Sequence, residues 1–103
     1  MIPISKVREI ISKHKQLEKE LSSGEVKRDD FAHKSKEYSE LNEIVDAAKE
    51  IEKFNDNRKD LENLINDNNS EDEIISIAKD ELKDAILKHQ KNEKKIKLFL
   101  LPK

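Results

Sequence analysis

Three histidines, His14, His33 and His89, many paired carboxylates and a lysine-rich end are the residues here whose chemistry could do something. A metal site needs several imidazoles or carboxylates in one coordination sphere. Helical spacing places His14 and His89 on seams separated by roughly 15 Å of axial rise, and His33 lies off the seam. They cannot share an ion. With no cysteine, the chain can form neither a disulfide nor a thiolate site. Acid–base work needs a carboxyl group whose pKa is raised by an apolar, concave setting. The Asp and Glu pairs lie on polar faces of what reads as a thin helical assembly without a concave pocket. A single glycine, Gly24, excludes a Gly-rich phosphate loop, and no serine sits in a nucleophile-elbow context. The chain by itself therefore reads as no enzyme, with no cofactor and no bound metal.

Charge is more informative than catalysis. Of 103 residues 43% are charged and 34% apolar, with net charge −2, so no global basic field draws the chain to nucleic acid. Eighteen of the 21 basic residues are lysine, which points to an AT-rich genome. From Asp60 to Asp84 the local balance is −7, and from Lys88 to Lys103 it is +5. Acids near a helix start and lysines near its end complement the helix dipole, so the split has a structural reading. It also leaves Lys88, Lys91, Lys94, Lys95 and Lys97 as a candidate contact surface.

The elements that would carry these residues are all helical. One glycine, two prolines and four aromatics argue against sandwiches and barrels. No window approaches the ~18 apolar residues of a membrane span, and there is no signal-peptide pattern. A soluble, cytoplasmic protein is expected. The first helix reads from about 4 to 22, with Pro3 at its start, Gly24 beyond its end, and Val7, Ile10, His14, Leu17 and Leu21 on one stripe. The second reads from about 29 to 67, roughly 38 residues or ~57 Å, capped by Asp29 or Asp30. Its stripe is Phe31, Tyr38, Leu41, Val45, Ala48, Ile51, Phe54, Arg58, Leu61 and Ile65, widened by Ile44 and Leu64, with no breaker inside it. The third reads from about 71 to 97, opened by a Ser70–Glu73 capping box after "NDNNSEDE".

On the third helix Ile75, Ala78, Leu82, Ala85, His89, Asn92 and Ile96 step by 3 and 4 without a fault, a coiled-coil seam with Ile74, Ile77 and Ile86 beside it. Such a seam buries a narrow band, which accounts for the low apolar fraction. Short connections make neighbours antiparallel. The expected fold is all-α: three helices in an elongated antiparallel coiled coil or helical bundle, thickened to three helices at one end. His89 should face about position 49. Arg58, His89 and Asn92 either fix register or mark loose pairing.

Three stretches together resemble one family. "FAHKSKEYSELNEIV" (Phe31 to Val45) is similar to the Ser-Lys/Arg-Glu-Tyr-x-x-Leu signature of bacterial class I peptide chain release factors. "NDNNSEDEIISIAKDELKDA" (Asn66 to Ala85) resembles their "DDPEMRELAKEEL"-like turn and helix, and "LFLLPK" resembles the "LLLPKDP" that leads into the next domain. The Lys/Arg-Glu-Tyr form, without a Pro-Glu-Val-Trp-like segment, is that of the UAA/UAG-reading type. Lys34 stands where the family commonly has leucine, and the usual Asp-Pro is missing from "NDNNSEDE".

The resemblance implies an N-terminal helical domain (1–97) followed by residues 98–103 as the start of a linker or strand into a second domain. About 200 or more further residues would hold a stop-codon reading domain and a Gly-Gly-Gln loop for peptidyl-tRNA hydrolysis. The implied partners are the stalk-base region of the large ribosomal subunit, the class II release factor GTPase, and the rest of the chain. The lysine-rich end, or the exposed face of the first helix, would meet the ribosome. The isolated piece is expected to be monomeric, with Leu98 to Leu101 packing on the coil or on a neighbour. Two other classes fit less well. A tRNA-gripping helical arm needs a basic stripe unbroken by acids, and a free-standing structural coiled coil should self-associate through its seam.

Overall fold

The computed structural model describes residues 2–102, and four helices account for nearly all of them: α1 (Ile4–Ser23), α2 (Arg28–Asn42), α3 (Val45–Asn66) and α4 (Asp72–Leu100). No strand occurs among the described residues. The molecule measures 61 × 29 × 19 Å. Its radius of gyration, 18.4 Å, exceeds the about 13 Å of a compact chain of this length. The elongated all-α expectation therefore holds.

α1 starts where Pro3, with extended backbone, offers its carbonyl to the N–H groups of Lys6 and Val7. It ends on Gly24, whose φ of +72° is a left-handed conformation that other residues adopt only at a steric cost. Ser23 Oγ donates to the Glu20 carbonyl and accepts from the Glu25 N–H. α2 is entered one residue early, at Arg28. Asp29 and Asp30 therefore lie inside its first turn and act on the dipole, while Lys27 is the uncapped N-cap. The Ser70–Glu73 capping box also does not form. Glu71 is the N-cap of α4 and makes no side-chain bond. The preceding turn is held instead by Asp67, whose Oδ1 accepts from Asn69 N–H and whose carbonyl accepts from Ser70 N–H. An Asx turn replaces the missing Asp-Pro.

The expected second helix is two helices. Its α-helical ladder fails at Glu43 and Ile44, whose N–H groups reach back only three residues, to the carbonyls of Glu40 and Leu41. Ile44 opens to φ −118°. No glycine or proline sits there. The cause is packing: Leu41, Ile44, Val45, Ala47 and Ala48 are all buried, more of the circumference than one helical stripe spans. Here the chain is covered by α1 and by α4, and two stiff β-branched residues ease the break.

α1 runs antiparallel to both α2 and α3, and ion pairs mark the register: Arg8 with Glu52, Lys13 with Glu37, and Glu20 with Lys34. α4 turns back along α3, the most extensive helix pair. The core lies where α1 covers the α2–α3 junction and the end of α4 arrives: Ile2, Val7, Ile10, Leu17, Leu41, Ile44, Ala47, Ala48, Ile51 and Ile96, with Ile11, Tyr38 and Phe99 against it. Beyond that thick end α3 and α4 form a two-helix arm.

Along α4, Ile75, Ala78, Leu82, Ala85, His89, Asn92 and Ile96 are each buried or half-buried, as the 3–4 stepping demands. The stepping continues to Phe99, and the helix runs on to Leu100, past the expected end at about 97. Of the apolar terminal run only Phe99 packs on the coil; Leu98, Leu100 and Leu101 are exposed. Phe31 and Leu64, placed on the second-helix stripe by spacing, are exposed as well. So are Ile74, Ile77 and Ile86 beside the seam. A coiled-coil arm has only one partner face to offer.

Candidate functional site

Polar side chains collect at three levels of the rod. At the first, the buried His14 ring stacks on Tyr38 with centroids 4.8 Å apart, and Nε2–H donates to Asn42 Oδ1 at 3.0 Å. Tyr38 and Asn42 thus tie α2 to α1. Nearby, Lys34 reaches Glu20 at 2.8 Å. That contact holds the Glu20 carboxyl below its ordinary range and raises the Lys34 ammonium. A lysine at this position therefore has a carboxylate partner on α1.

At the second level Glu50 on α3 receives two residues of α4, Asn92 Nδ2 at 2.7 Å and Lys88 Nζ at 3.1 Å. The amide bond first, and then the ammonium, lower the Glu50 pKa from its ordinary 4.5. A carboxyl with a depressed folded-state pKa stabilises the fold fully above its unfolded value, and the contribution disappears as pH falls through the lowered one. Glu50→Gln should therefore lose less stability than the parent between about pH 5 and pH 3, measured as urea midpoints at both pH values. Equal losses would remove Glu50 from the acid response.

The third level is one turn farther out. The His89 ring stacks on Phe54 at 3.8 Å and 12°, and Nε2 lies 3.1 Å from Glu93. Arg58 sits over the same phenyl ring, 5.9 Å from its centroid. His89 thus meets Phe54 rather than position 49, because counting rise from the middle of the turn ignores the stagger of two interlocked helices. Asn92 is the residue that faces Glu50. His89 and Asn92 have partners on α3, whereas Arg58 meets only Phe54, Asn55 and Glu62 of its own helix.

His14 and His89 lie at separate levels, His33 is exposed on α2, and among the described residues no three His, Cys, Asp or Glu groups are placed to hold a metal. A concave surface does exist, contrary to the sequence expectation. A groove at the start of α1, lined by Ile2, Ile4, Arg8, Ile51 and Arg58 among others, has a volume of about 730 Å³; along it Arg8 pairs with Glu52 and His89 with Glu93, while Arg58 Nε and His89 Nδ1 are buried without a hydrogen-bond partner.

The five candidate lysines are exposed on α4. Lys88, Lys91 and Lys95 share one line at i, i+3 and i+7, and Lys94 and Lys97 fall to its other side. Lys88 is engaged by Glu50. Among the described residues Lys91, Lys94, Lys95 and Lys97 take part in no ion pair, so four charges remain available. Sequence reading missed Glu50, Glu20 and Arg8 as cross-helix anchors. The signal was available in the antiparallel register, where positions 8 and 52, 14 and 42, and 20 and 34 face one another.

No helix among the described residues is long and apolar enough to cross a membrane. No solved structure matches the chain. Among curated proteins it is 52% identical, over its whole length and 29% of theirs, to peptide chain release factor 1 of Pelagibacter ubique (strain HTCC1062). It is 36% identical over 91% of its length to the same factor of Orientia tsutsugamushi (strain Boryong), covering 26% of that protein. The figure is 33%, with the same coverage, for Rickettsia canadensis (strain McKiel). The chain thus spans under a third of the length of these relatives. The PCRF domain model matches residues 10–103, from within α1 through the end of α4. That match takes in nearly the whole chain, and the chain belongs to the PCRF domain family.

Proposed function

We propose that this chain is the N-terminal helical domain of a factor that ends translation at UAA and UAG codons in the cytoplasm. On this reading the domain (1–97, with 98–103 leading onward) neither reads the codon nor cleaves the ester. Both tasks fall to other parts of a longer protein, hydrolysis of peptidyl-tRNA to a Gly-Gly-Gln loop. The domain docks the factor near the stalk base of the large ribosomal subunit and communicates with the class II release factor GTPase.

The observation that carries the reading is the family match over residues 10–103 in a chain that spans 29% of a factor 52% identical to it. The shape is consistent with docking. A 61 Å rod with a packed thick end is suited to reach across a gap, and among the described residues Lys91, Lys94, Lys95 and Lys97 are exposed and in no ion pair. Reversing these four lysines to glutamate in the full-length factor should weaken ribosome binding and flatten its salt dependence by about one unit of log–log slope per lost phosphate contact. Unchanged affinity and slope would exclude this face as the docking surface.

A further inference from the structure

We infer that the outer face of α4 is a self-complementary surface on which two copies of this chain pair antiparallel. Each seam residue of α4 has a counterpart two positions on, about 200° around the helix and so facing away from α3. Those counterparts are Ile77, Asp80, Asp84, Leu87, Lys91, Lys94 and Leu98. They repeat the 3–4 stepping of a coiled-coil stripe, yet all are exposed, Ile77 by 58%, Leu87 by 50% and Leu98 by 61%. Nothing among the described residues covers this second coiled-coil pattern.

The order of the stripe names the occupant. Read forward it is apolar, acid, acid, apolar, base, base, apolar, and reversal exchanges the acids with the bases while leaving the apolar residues in place. Laid antiparallel on a second copy, Leu87 meets Leu87 of the second copy near the two-fold axis. Asp84 then meets Lys91, Asp80 meets Lys94, and Ile77 meets Leu98, each pair occurring twice, as an isologous contact requires. Within one molecule Asp80 and Asp84 are like charges at i, i+4, Lys91 and Lys94 are like charges at i, i+3, and among the described residues none of the four is in an ion pair. Pairing places an opposite charge beside each. A parallel copy would set acid on acid, and nucleic acid would meet the acidic half with repulsion. This surface is a property of the chain alone and does not rest on the docking reading.

Charged residues at four of the seven positions of this outer stripe make the association weak, with a dissociation constant of ~10⁻⁴ M. Sedimentation equilibrium of the chain should show a monomer–dimer equilibrium that weakens about tenfold between about 50 and 500 mM salt. Leu87→Glu puts two carboxylates on the axis and should abolish the dimer, with helical circular dichroism unchanged because Leu87 is half exposed. The decisive arm uses two charge-swapped chains, Lys91→Glu/Lys94→Glu and Asp80→Lys/Asp84→Lys. Each alone should be monomeric, and their equimolar mixture should restore a dimer, which loss of folding could not mimic. A wild-type chain that stays monomeric up to about 1 mM, a dimer that survives Leu87→Glu, or a mixture that fails to associate would each overturn the proposal.

Discussion

Ile96→Ala is expected to lower the unfolding free energy by about 2–5 kcal/mol. Ile96 is fully buried near the end of α4 and belongs to a core cluster otherwise built from α1, α2 and α3 with Ile2. Truncation removes three methyl or methylene groups from a site ringed by stiff helices, so the void cannot collapse easily. The loss is large against the 5–15 kcal/mol that holds an ordinary domain together. In a rod with its core at one end, it also releases the half of α4 that closes that core. Urea unfolding at neutral pH measures it, with half-exposed Ile74→Ala as the control at under about 0.5 kcal/mol. A cost below about 1 kcal/mol for Ile96→Ala would mean that α4 does not seal the thick end.

His14→Ala should follow, at about 2–4 kcal/mol, because it removes a buried ring, its stacking partner for Tyr38 and one hydrogen bond. His14→Phe separates these parts. Phenylalanine keeps the volume and the stack at 4.8 Å but leaves Asn42 without its donor, so it should cost about 1 kcal/mol, the scale of one net hydrogen bond. Equal destabilisation by both variants would show that the Asn42 bond, and not the ring, joins α1 to the end of α2. The two measurements together ask whether the junction is held by packing or by polarity. The packed geometry at Leu41, Ile44 and Val45 favours packing.

That junction also shows where reading a sequence reaches its limit. Periodicity reports how many sides of a helix are apolar, and from Leu41 to Ala48 it reports more apolar positions than one stripe holds. It does not report whether the chain answers by widening the stripe or by breaking. The answer depends on α1 and α4 arriving from different sides, a fact of tertiary structure. Helix caps were misplaced for a related reason. Asp29, Ser70 and Glu73 are competent cap residues, but the turn before each helix is fixed elsewhere, by the approach of α2 to α1 and by the Asp67 Asx turn.

The candidate site divides in the same way. The lysines of α4 and the split between acid and base along the chain were legible, because charge is a property of residues and not of contacts. That Lys88 is occupied by Glu50 while Lys91 and Lys94 are not was illegible, because it depends on which turn of α3 lies opposite. The His89 partner slipped by one turn for that reason too.

By itself the sequence determined the all-α class, the elongated form and the α4 seam residue by residue, since a 3–4 repeat of apolar side chains can bury its stripe in one way only. It also carried the family, through residues that keep their order and spacing. The tertiary structure alone decided that the long helix divides at Glu43–Ile44, that α4 continues through Phe99 to Leu100, and which charges are left without partners. Those outcomes depend on stagger and on which neighbour reaches a surface first, and both arise only when the helices pack.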